Sequence, residues 1–325
     1  MAGGEAEHRY GDPLSSRAAV GGGGFGGIGS PRHLIGLGLD ETASGTVLDR
    51  CVELGVTIVD TAYGYAGGDS HRHIGHWLAG DRDRRRRVAI VDKVGMVARG
   101  QELVLDLSPD GVARQAAEGR ARMGVDGVDV LMTHGPDPAT PIRQTIAALA
   151  TEIDQGHART WGISNVEPET LPGWIEQAER LGAPPPMFVE NEYSLLARDD
   201  EAAILPLCAA KGIGYLAFSP LAGGVLSGRY QRGAAPPAGS RLALRPDAAA
   251  VLTDDLHDRL TALAERAADL GVSSAALSLA WVLAQPNIRP IVGLRTPAHL
   301  DAVTDALRLQ LTPAQADDLA RTVHA

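Results

Sequence analysis

The sequence predicts a closed parallel (β/α)8 barrel. Eight short β-rich apolar runs alternate with amphipathic helical stretches, no linker divides the chain, and 325 residues, 44% hydrophobic, suffice for one large core. An open doubly wound sheet is the competing architecture. Residues 1–16 read as a flexible tail, and residues 17–325 as the barrel.

The strand runs are 18–22, 57–60, 88–93, 128–133, 160–164, 187–190, 213–218 and 288–292. Each is rich in Val, Ile or other apolar residues and too short for a helix. Between the first two, "ETASGTVLDRCVELG" sets Val47, Leu48, Cys51 and Leu54 at helical spacing. "DGVARQAAEGRARMG" follows the third, and "PIRQTIAALATEIDQG" opens on Pro and closes on Gly156. Further helices are expected at 199–211, 256–269, 273–284, 297–306 and 313–322. The Gly/Pro-rich stretch 227–241 follows the seventh run, where a barrel carries a functional loop.

A net charge of −10 and a pI near 5.5 argue against a broad nucleic-acid surface, which needs clustered positive charge. The basic run "RDRRRR" (82–87) follows Asp81, contains Asp83 and reads as a solvated loop. Cys51 and Cys208 lie in apolar helical patterns and read as small core residues, not a disulfide framework. No apolar run approaches the roughly 18 residues of a membrane span, and the first residues lack a signal-peptide core. A cytoplasmic protein with no membrane partner is the expectation. Oligomeric state leaves no trace in the sequence.

"VGGGGFGGIG" (20–29) contains a GxGxxG match at Gly21, Gly23 and Gly26. A dinucleotide fingerprint needs a helix opening at the third glycine. Here "GSPRHLIGLGLDET" follows, which is no helix. The glycines, Gly24 among them, instead suit backbone lying close to a flat ligand.

In a barrel the C-terminal ends of the strands meet at one mouth. They bring Asp60 and Tyr65, Lys93, His134, Ser164 with Asn165, Glu190, Phe218 with Ser219, and Gly293 with Arg295. Lys93 sits inside the apolar "VAIVDKVG" and needs a partner, which Asp60 supplies. A phenol beside that ammonium is expected to fall below its ordinary pKa of about 10. Tyr65 then exchanges a proton near neutrality, while His134 hydrogen-bonds a substrate oxygen. The set suits protonating a carbonyl oxygen as hydride reaches its carbon. Each residue also has a purely structural reading: Asp60 as a helix cap, Tyr65 in the core, His134 in a turn, Lys93 snorkelling outward.

"DTAYGYAGGDSHRHIG" (60–75) resembles the strand-two signature of the aldo-keto reductases, and the similarity runs from about residue 17 to the C-terminus. The resemblance implies NAD(P)H-dependent reduction of a small-molecule aldehyde or ketone. Its catalytic tyrosine falls on Tyr65, which leaves Tyr63 structural or pocket-lining. "KVG" and "THGPDP" match its lysine at Lys93 and histidine at His134. "GISNV" matches the pair, Ser164 and Asn165, that holds the nicotinamide carboxamide. "ENEYSLLAR" resembles Q-x-E-Y-x-x-x-x-R. "AFSPLAGGVLSGRY" places Phe218 on the nicotinamide and Ser219, Pro220, Leu221 and Gly223 around the pyrophosphate.

The chain departs from that pattern. Glu190 replaces a glutamine and adds negative charge near the nicotinamide, which favours the oxidised ring. "GLRTPAHLDAV" keeps Gly293 and Arg295 but has His299, Ala302 and Val303 for Gln, Glu and Asn. Arg229, Arg241 and Arg295 are candidates for a 2′-phosphate, so NADPH is expected, with NADH possible. His71, His73 and His76 point to different helix faces and make no metal site. Phe25, Ile28, Met96, Trp161 and Tyr193 are expected to line the substrate pocket. With 4% aromatic residues a polar, sugar-like carbonyl compound is expected. Two other classes stay open: a cofactor-binding regulatory subunit, and a non-redox lyase or hydrolase on the same barrel.

Overall fold

The computed structural model describes residues 11–100, 102–244, 250–296 and 299–324. Its strands are β1 (Ala19–Gly21), β2 (Ile58–Ala62), β3 (Ala89–Val94), β4 (Met96–Arg99), β5 (Glu102–Leu105), β6 (Val128–Thr133), β7 (Ala158–Ser164), β8 (Phe188–Glu192), β9 (Gly214–Phe218) and β10 (Ile288–Gly293). Eight of them close into a parallel barrel in the order β1-β10-β9-β8-β7-β6-β3-β2. The open sheet is thereby excluded. The antiparallel hairpin β4–β5 stands apart, and no sequence pattern announced it.

β2, β3 and β6 are buried along their whole length, because side chains face the barrel lumen and the helical shell in turn. Ile58, Val91, Met132, Phe188 and Leu216 point inward and share one compact cluster. Val59, Ile90, Leu131 and Val189 point outward into the larger cluster beneath the helices. The period of two then decides the next layer. Asp60, Lys93, His134, Glu190 and Phe218 each lie two residues past an inward apolar residue, so they too enter the lumen, one step nearer the mouth.

The helices start and stop on local chemistry. The side chains of Asp40, Ser108, Thr253 and Ser273 accept amide hydrogen bonds at the starts of Glu41–Glu53, Pro109–Met123, Asp254–Asp269 and Ser274–Leu283. Left-handed Gly124, Gly182 and Gly212 end Pro109–Met123, Leu171–Leu181 and Ile204–Lys211. Gly22–Gly24 is a single 3-10 turn, which disposes of the dinucleotide fingerprint. Within the stretch expected as a tail, Pro13–Ser15 form a 3-10 turn and Leu14 packs into the inner cluster. Residues 1–10 of that tail lie outside the described residues. The arginine run is partly tied down, since Arg84 pairs with Asp49 and Arg85 with Asp129. Among the described residues no helix is long and apolar enough to cross a membrane.

Candidate active site

Lys93 is the hub of the mouth. Its ammonium binds Asp60 across β2 and β3. It also contacts both oxygens of Glu190 from β8, at 3.0 and 3.3 Å. The three side chains are 1–3% exposed, so water does not screen them. Burial works against the charge on Lys93, but Asp60 and Glu190 outweigh it and raise the lysine pKa well above its ordinary value. Asp60 is also raised, by burial and by Glu190, against the pull of Lys93.

Tyr65 follows β2 in a tight turn that needs unusual backbone. Ala66, Gly67 and Gly68 all have positive φ, and a Cβ on Gly68 would sit 2.8 Å from Arg122 Nη1. The turn brings the Tyr65 ring to 5.4 Å from the Lys93 ammonium. The expected acidification of this phenol is corrected. Burial raises its pKa well above the ordinary value, and the carboxylates of Asp60 and Glu190 oppose Lys93. Tyr65 is therefore a protonated donor at neutral pH.

His134 meets the Tyr65 ring edge-on at a centroid distance of 5.5 Å. Burial, and then Lys93, push its pKa down to about 3, so the imidazole is neutral. Its buried Nδ1 has no hydrogen-bond partner. Asn165, held at φ 55° after β7, donates to the His134 carbonyl at 2.9 Å and to the Ser164 hydroxyl at 3.0 Å.

These residues form one end of a cleft of about 420 Å3. Phe218, Ser219, Pro220, Leu221 and Gly223 make its middle, with Ser219 and Ala222 in the left-handed region. Gly24 passes so close to the next wall that a Cβ would lie 2.8 Å from the Leu294 carbonyl oxygen. Gly293, His299 and the guanidinium groups of Arg229, Arg241 and Arg295 line the far end. Arg229 lies 3.3 Å from the His299 ring. Among the described residues none of these three arginines has a carboxylate partner. Burial and then Arg229 and Arg241 lower the pKa of Arg295, the signature of crowded cations.

Every sequence-derived catalytic and cofactor candidate thus comes to this cleft or, for Lys93, directly beneath it. The predicted substrate wall fares worse. Ile28 lines the cleft. Phe25 is fully buried and bridges to Leu39. Trp161 faces outward, donates to the Pro184 carbonyl and packs on Trp174. Tyr193 stacks on Trp281 and bonds Glu201. Met96 belongs to the β4–β5 hairpin, outside the cleft lining. Tyr63 turns away from the mouth, donates to Glu118 at 2.9 Å and carries Arg122 on its ring, so it is structural. His71 pairs with Asp92 in the shell. No group of three or more potential metal ligands occurs among the described residues. Sequence reasoning missed Gly224, Ser227, Ala275 and Leu279 in the cleft wall; all four are uncharged and belong to no motif that marks a ligand.

The Aldo/keto reductase family model matches residues 24–323. The chain belongs to the aldo/keto reductase family. Its relatives include a probable voltage-gated potassium channel subunit beta of Arabidopsis thaliana, 33% identical over 78% of this chain and 78% of that one. An NADH-specific methylglyoxal reductase of Escherichia coli is 29% identical over 83% of this chain and 84% of that one. A glycerol dehydrogenase of Gluconobacter oxydans, 24% identical, shares the fold with a TM-score of 0.79 over 95% of this chain and 93% of that chain. Members of this oxidoreductase family use nicotinamide cofactors.

Proposed function

We propose that the protein reduces a small polar aldehyde or ketone with NADPH, with Tyr65 as the proton donor. One observation carries the reading: a protonated phenol, a buried ammonium and a neutral imidazole meet at one end of a cleft whose other end gathers three guanidinium groups with no carboxylate partner among the described residues.

The cleft suits a dinucleotide. Glycines replace side chains where backbones approach, and left-handed Ser219, Ala222 and Gly223 turn the chain around the middle. Arg229, Arg241 and Arg295 supply fork-shaped donors for a 2′-phosphate, which supports NADPH over NADH. Phe218 offers a ring face, and Asn165, Ser164 and Glu190 offer polar groups for a carboxamide. When bound, the reduced nicotinamide supplies hydride to the carbonyl carbon.

The protein's own residues handle the oxygen and its proton. The imidazole of His134, neutral at working pH, orients the carbonyl oxygen without adding charge. The Tyr65 hydroxyl transfers its proton to that oxygen as negative charge develops there. Lys93 stabilises the phenolate left behind, and Asp60 holds Lys93 in place. The glycine-lined mouth around Gly23 and Gly29 suits a compact polar substrate, sugar-like compounds included.

A fluorescence titration tests the cofactor, followed by turnover of a simple aldehyde. NADPH is expected to bind at least tenfold tighter than NADH, equal to about 1.4 kcal/mol, and to support steady turnover. Equal or reversed affinities contradict the 2′-phosphate assignment. The 33% identity to a protein named as a potassium channel β subunit favours a second reading, a cofactor-binding regulatory subunit. Tight cofactor binding without turnover of any aldehyde would support it.

A further inference from the structure

We infer that Asp60 and Glu190 hold one proton between them beside Lys93, and that the site releases it when a positively charged nicotinamide ring docks. The second half rests on the nicotinamide-dependent reading above.

The charges do not balance without that proton. Two carboxyl groups and one ammonium converge from β2, β8 and β3, each almost fully shielded from water. If all were ionised, one negative charge would be buried without compensation, and proteins relieve such a charge by protonation. The two carboxyl groups meet at the same ammonium, so they are held close to one another. Two carboxylates so placed repel each other, whereas a hydrogen on one lets it donate to the other. The upward shift of Asp60 agrees.

Among the described residues no other group supplies the missing positive charge. Tyr65 and His134, the remaining ionisable neighbours, are neutral. The strands flanking β8 place Ser164 and Leu216 in register with Glu190. The three guanidinium groups line the far end of the cleft, Arg229 beside His299. A glutamine at position 190 would leave one cation with one anion and no stored proton. Glu190 therefore changes the proton inventory of the site as well as its shape.

Docking of an oxidised ring adds one positive charge, which balances the second carboxylate and frees its proton to solvent. The reduced ring is neutral and leaves the proton in place. By linkage, affinity for the oxidised cofactor rises as pH rises, approaching tenfold per pH unit when one full proton is released on binding.

Two measurements decide the matter. In the cofactor-free protein, 13C NMR of the side-chain carboxyl carbons is expected to show one protonated buried carboxyl at pH 7, lost in Glu190→Gln; Asp60→Asn reports the same pair from the other side. Full ionisation of both carboxyls at pH 7 overturns the inference. Calorimetry in buffers of different ionisation enthalpy is expected to show nearly one proton released with NADP+, none with NADPH, and none with either in Glu190→Gln. Equal release with both nucleotides, or unchanged release in Glu190→Gln, also overturns it. A stored proton in a protein that binds neither nucleotide would sink the nicotinamide reading, and the release step with it.

Discussion

The two ends of the cleft solve opposite electrostatic problems. At the mouth, one cation is enclosed by two carboxyl groups and a phenol, all of them buried. At the far end, three cations crowd one histidine without a carboxylate among the described residues. The first end is arranged for moving a proton. The second is incomplete by itself, and its repulsion is relieved only by an anion. The contrast separates chemistry from recognition along one groove, and it can be broken from either side.

The largest effect is expected from Lys93→Met. Two buried carboxyl groups lose their only cation, which costs roughly 3–5 kcal/mol of stability. They can become neutral only by binding protons, so the loss grows with pH. Urea denaturation at pH 6 and pH 8 checks both the size and the trend. At the other end, Arg241→Ala or Arg295→Ala is expected to weaken NADPH roughly tenfold to a hundredfold while NADH changes little, as read by fluorescence titration.

His134 sharpens the account of the mouth. In the folded state its ring titrates near pH 3, against 6.5 unfolded. Between these values the unfolded chain binds more protons, so acid favours unfolding. Its share of stability is complete above pH 6.5 and falls by up to about 1.4 kcal/mol per pH unit towards pH 3. NMR of the His134 ring should show no titration between pH 5 and 8. The smallest effect belongs to Tyr63→Phe, which removes a partly exposed bond to Glu118. It should cost about 0.5–1.5 kcal/mol and leave turnover unchanged.

Much of this was legible because barrel geometry converts sequence parity into direction. Asp60, Lys93 and Glu190 close apolar runs in phase with inward residues, so the runs themselves point them at the mouth. The same parity would have corrected two errors. Trp161 is out of phase with Ser164, and Tyr193 is out of phase with Glu190, so both face the helical shell. The β4–β5 hairpin escaped notice because its strands are short and half exposed, without clean alternation. The state of Tyr65 was misjudged for an energetic reason. Sequence names a neighbouring cation, but the depth of burial and a second carboxylate appear only in the fold.

The proton on the Tyr65 hydroxyl is the centre of the account, and Tyr65→Phe tests it most directly. Deleting that oxygen is expected to lower kcat for aldehyde reduction by roughly 10²–10⁴, with NADPH affinity kept within about twofold. A variant that still reduces the aldehyde at near wild-type rate would contradict it.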